Sequence, residues 1–155
     1  MEDWNSLARA LRALHAALLR RARADYMQER GITQEIGAGE LLMLATRDES
    51  FAWLRALSEL MTDIDYLRDD PATAQGDQLR AAVRGAVEEL LAPASGQAGS
   101  GAFGARYWQY VPADPEVTMA HAAVKQALAG WPQPQGTGAR ELAEHRKTVG
   151  TRSGG

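Results

Sequence analysis

Trp4, Leu7, Leu11, Leu14 and Leu18 return at alternating steps of three and four residues. At about 100° per residue, that spacing lays all five along one narrow stripe of an α-helix. A β-strand cannot present them together, because its side chains alternate with a period of two. Ala22 and Tyr26 extend the stripe, which predicts a first helix of about seven turns. Asp3 is the expected N-cap. The expected stop is Arg30-Gly31, where glycine enters the left-handed conformation without the penalty of a Cβ.

The remainder of the chain supports the same structural class. Alanine occurs 29 times, and arginine outnumbers lysine 15 to 2, a bias expected of a GC-rich bacterial genome. Alanine, leucine, arginine and glutamate all favour helix. No alternating run of valine, isoleucine and threonine marks a strand. The chain therefore reads as all-α.

Two glycines break residues 31–38, and a short apolar helix carrying Leu41, Leu42, Met43 and Leu44 follows. Asp48 or Ser50 is the expected cap of a second long helix ending near Arg68. Its inner face of Trp53, Leu54, Leu57, Leu60, Met61, Ile64 and Leu67 is wide enough to touch two or more neighbours. Asp70-Pro71 is a helix start signal. Leu79, Val83, Ala86, Val87 and Leu90 share a face between residues 77 and 91, and Pro93 stops that helix. Residues 92–104 are small, polar and glycine-rich, which predicts a flexible connection. Asp114-Pro115 repeats the start signal before Val117, Ala120, His121, Val124 and Leu128, a face that ends at Gly130. Brief loops between amphipathic helices favour a helical bundle of four main helices plus short accessory helices. That single domain is expected over residues 1–131, with residues 132–155 a flexible or disordered tail.

Several functional classes are disfavoured at this level. There is no cysteine, which removes disulfides, thiolate metal sites and cysteine nucleophiles. A net charge of −3 and a pI near 5.6 lack the basic surplus of a nucleic-acid binder. The start Met1-Glu2-Asp3 is acidic where a secretory signal is basic, and no apolar run approaches a membrane span. The expectation is a cytosolic protein without membrane or nucleic-acid partners. No P-loop, dinucleotide fingerprint, zincin motif or nucleophile elbow is present, so an enzyme is not expected.

Three groups of residues carry candidate chemistry. His15 lies beside the first-helix stripe and His121 beside the face of the last main helix. Two histidines aimed into one bundle would suit a haem or metal, whereas core histidines bonded to neighbouring polar groups would bind none. No cofactor is expected, with the haem- or metal-binding sensor or carrier as the alternative. Phe103, Tyr107, Trp108 and Tyr110 form an aromatic patch that serves as a plug for the bundle, as a partner-binding surface or as a lid over a ligand. Charge is segregated: residues 1–30 hold six arginines against four acids, and residues 31–70 hold three against nine. Arg20 and Arg23, with Arg9, Arg12 and Arg30, lie away from the leucine stripe, facing the acidic helix, water or a partner. Glu59, Asp63, Asp65, Asp69 and Asp70 form an acidic group that could hold magnesium, but Asp63 and Asp65 diverge around their helix, which is poor geometry for one cation.

Residues 51–58 (FAWLRALS) through Ile64-Asp65, residues 117–128 (VTMAHAAVKQAL) and the pattern around Leu14-His15 resemble segments of a group of short bacterial all-helical proteins of unknown function. The likeness spans residues 4–130 and implies a bacterial, cytosolic, helical protein, with no activity, cofactor or site residue attached. The functional expectation is a small protein-interaction or regulatory module, with a homodimer or a separate protein as partner.

Overall fold

A computed structural model describes residues 2–70, 76–93, 101–134, 138, 142–144 and 147. Among them every regular element is a helix and none is a strand, so the chain is all-α. The elements are α1 (Glu2–Glu29), α2 (Ala38–Arg47), a 3-10 helix (Glu49–Leu54), α3 (Arg55–Arg68), α4 (Asp77–Leu91), α5 (Gly101–Tyr110) and α6 (Pro115–Leu128). No helix of the described residues is long and apolar enough to cross a membrane.

The leucine stripe makes α1 the central element. Leu7, Leu11, Leu14 and Leu18 are all within 1% of full burial and Trp4 within 2%. The helix lies along α6 and also touches α3 and the 3-10 helix. Arg20 meets Glu116 at one end of this pair, and Trp4 meets Trp131 at the other, so α1 and α6 run antiparallel. The wide face read between Trp53 and Leu67 does serve several neighbours: α3 packs on α1, on α4 and on the 3-10 helix.

Helix ends follow local chemistry where the backbone groups at the ends find partners. Gly31 has φ +62°, and the Ile32 and Gly31 N–H groups donate to the Met27 and Gln28 carbonyls. These paired bonds form the Schellman stop that the glycine implied. Asp114 accepts from the Glu116 and Val117 N–H groups at 3.0 and 3.3 Å, with Pro115 at the first turn of α6.

Four expectations need correction. Asp3 lies inside α1 and pairs with Arg80 at 2.8 Å, so it is not the cap. Asp48 does cap, accepting from the Ser50 N–H at 2.8 Å, but it opens the 3-10 helix, and α3 begins only at Arg55. Residues 101–104 belong to α5 rather than to a connection, because Phe103 is buried against Trp53 and Tyr107. On α4 it is Leu91 that is buried, and Leu90 sits half-buried beside it. The start signal at Pro71 and residues 94–100 lie outside the described residues.

The expected tail, residues 132–155, is described only at 132–134, 138, 142–144 and 147. Leu142, in a helical stretch at 142–144, is 4% exposed within the core, and Gly138 is also buried. The Gly138 N–H donates to Glu89 Oε1 at 2.8 Å. A glycine is required there, since a Cβ on Gly138 would lie 2.6 Å from the Gly85 Cα of α4.

Candidate functional site

The aromatic run 103–110 is divided by helical geometry. Phe103, Tyr107 and Tyr110 recur at steps of four and three, and all three are buried. Phe103 stacks on Tyr107 at 5.2 Å, and Trp53 of the 3-10 helix reaches Phe103 and Tyr110. These rings are closed off inside the chain and present no surface to a partner. Trp108 faces another way: half-buried, it donates its indole N–H to the Leu91 carbonyl at 3.0 Å and so ties α5 to the end of α4.

Beside that indole lies a cleft of about 680 Å³ between α4 and α6. Val87 and Leu91 of α4, Val124 and Leu128 of α6, and the Trp108 ring form its apolar lining. Its polar groups come as two pairs at helical i, i+4 spacing: Arg84 and Glu88 on α4, His121 and Lys125 on α6. Volume and lining both match the small-molecule sites of other proteins, which are mostly apolar with a few placed polar groups.

The two polar pairs differ in what already satisfies them. Arg84 is bonded to Glu88 Oε1 at 2.9 Å and to the Trp131 carbonyl at 2.6 Å, which fixes its guanidinium. Lys125 is exposed and has no ion-pair partner among the described residues. The His121 Nδ1 lies 2.5 Å from the Tyr107 hydroxyl. Burial pushes the Tyr107 phenol well above its ordinary range, so it keeps its proton, and Nδ1 is the acceptor that the buried hydroxyl has among the described residues. Burial, and then the nearby Lys125 ammonium, lower the His121 pKa from 6.5. A neutral imidazole accepting at Nδ1 carries its own proton on Nε2. The cleft is thus lined on its α6 wall by a neutral N–H donor and an ammonium that no carboxylate among the described residues pairs.

His15 is held elsewhere. Its Nε2 lies 3.1 Å from Ser58 Oγ on α3, and that hydroxyl also reaches the Leu54 carbonyl at 3.4 Å. One chain of donors satisfies both, with the imidazole N–H giving to Ser58 and the hydroxyl giving to Leu54. Desolvation lowers the His15 pKa, in keeping with a neutral ring in the α1–α3 seam. No hydrogen bond or ring contact joins His15 to His121 among the described residues. Among those residues no group of three or more histidine, aspartate or glutamate side chains is placed to hold a metal ion.

The charged residues of α1 are turned largely onto the chain itself. Arg20 bonds Glu116 at 2.5 Å, Arg21 lies 3.8 Å from Asp114, and Arg12 lies 3.6 Å from Asp65. Arg23 is half-buried with no ion-pair partner among the described residues. Asp65 is shared between Arg12 and Arg68, and Asp69 also meets Arg68. The basic first helix and the acidic one therefore lie side by side.

Sequence reasoning singled out Trp108 and His121 but gave no weight to Lys125, Arg84 or Glu88. The available signal was the i, i+4 spacing of His121 and Lys125 on the flank of a helix whose other face is aliphatic. Comparison of the chain with protein-family models, curated proteins and solved structures finds no match.

Proposed function

We propose that this chain is a regulatory binding module of the bacterial cytosol, a bundle of four main helices (α1, α3, α4 and α6) that acts by taking up a ligand between α4 and α6. The observation that carries this reading is the cleft of about 680 Å³, with Trp108 at its side and two unequal polar pairs in its lining. The lining supports binding rather than turnover, since its side chains supply an apolar surface and donors but pair no nucleophile with a base. A homodimer or a separate protein partner belongs to the same reading. It draws support from Leu42 and Met43 of α2, which are 65% and 57% exposed. The cleft is preferred to a haem or metal held between His15 and His121, because His15 sits against Ser58 of α3 whereas His121 sits against Tyr107 and Trp108 of α5 beside the cleft.

Titration with the fluorescent aromatic anion 1-anilinonaphthalene-8-sulfonate tests the reading. One saturable site is expected, and Ala129→Trp, which puts a large ring at an exposed position of the lining, abolishes it without lowering the Tm. Dye binding unaltered by that substitution would place the apolar site elsewhere and overturn the proposal.

A further inference from the structure

Given the binding reading above, the chemistry of the cleft selects among ligands. Its apolar lining comprises Val87 and Leu91 on one wall, Val124 and Leu128 on the other and the Trp108 ring alongside, which suits a flat or ring-sized hydrocarbon body. Its charges are unequal. The Arg84–Glu88 pair is closed, 2.9 Å apart, so each offsets the other and neither is free to choose a ligand. What is left over among the described residues of the lining is one ammonium, Lys125, and one neutral N–H, on His121 a single turn away. Tyr107 fixes the His121 ring from the buried side, so the imidazole is oriented before any ligand arrives. An exposed cation beside an N–H donor is a complement to an anionic oxygen pair and repels a ligand amine.

We propose that the α4–α6 cleft binds a small molecule bearing a carboxylate on an apolar ring-sized body. Lys125 and the His121 Nε2–H donate to the carboxylate, and Trp108, Leu91 and Leu128 cover the body. Arg84 and Glu88 keep their mutual bond and hold the opposite wall in place. Lys125 is then the specificity-determining residue and His121 its positioned companion.

Calorimetric titration of the full chain with three probes of one shape tests this: naphthalene-2-carboxylate, naphthalene-2-methanol and naphthalen-2-ylmethylamine. The carboxylate is expected to bind about tenfold more tightly than the alcohol, and the amine most weakly. Lys125→Met, at an exposed position, should bring the carboxylate down to the affinity of the alcohol and leave the alcohol unchanged. Equal affinity for all three probes overturns the inference while leaving the cleft as an unselective apolar site. A carboxylate preference that survives Lys125→Met overturns the role given to that residue. No binding of any probe overturns both the inference and the binding reading beneath it.

Discussion

His15 is a titratable side chain that the fold has turned into part of its core. Unfolded, its imidazole takes up a proton near 6.5, and burial between α1 and α3 moves that uptake to lower pH. Below 6.5 the unfolded chain therefore binds more protons than the folded one, and stability falls as the solution is acidified. His121 adds to the same trend, its pKa being lowered by burial and by Lys125. The Tm is expected to drop between about pH 7.5 and about pH 5.5, in the window where an imidazole titrates. His15→Gln, which keeps a donor toward Ser58, is expected to flatten that slope. Thermal melts of both proteins across the window check this, and an equally steep slope in the variant would contradict the burial argument.

At the scale of elements, the main helices were legible because each carries an apolar face with a repeat that no strand reproduces. Glycine at 31 and the Asp114-Pro115 pair also announced their ends, because each satisfies or removes backbone groups that a helix end leaves without partners. Other features hid from that logic. The glycines at 101 and 104 suggested a loop, yet the burial of Phe103 and Tyr107 outweighs the weak propensity of glycine and draws the segment into α5. The 3-10 start before α3 could not be read, since Asp48 is as good a cap for one kind of turn as for the other. Contacts between distant segments are invisible to periodicity altogether, and the approach of Gly138 to α4 is one of them. Gly138→Ala would press a methyl group against α4 backbone that cannot yield like a flexible side chain. The expected result is a loss of more than about 1 kcal/mol of stability, the scale of a local overpacking defect. Amide exchange should show faster opening at residues 142–144, because Leu142 depends on the same approach. An unchanged Tm with unchanged exchange would mean that this segment does not dock on α4 in solution.

For the molecule as a whole, α1 organises the assembly and the cleft lies away from it. Trp4, the α1 leucines and the acids that meet its arginines fix α3 and α6, and α5 is tied to α4 by one indole bond. Ion pairs on the exposed surface contribute little to stability. The apolar stripe therefore holds the fold, and the polar groups around the cleft are available to distinguish ligands. Sequence alone placed His121 on its helix and Trp108 in an aromatic patch but not the two in a shared cleft, because that depends on how α4, α5 and α6 cross. The most direct measurement of the central claim is a two-dimensional ¹H–¹⁵N spectrum of the full chain titrated with naphthalene-2-carboxylate. Trp4, Trp53, Trp108 and Trp131 each give an indole N–H signal, and Trp108 is the half-buried one beside the cleft. The account predicts that the Trp108 indole shifts most, together with the backbone amides of Leu91 and Lys125, while Trp4 and Trp53 stay in place. Shifts centred on α1 or α2, or none at saturating probe, would contradict it.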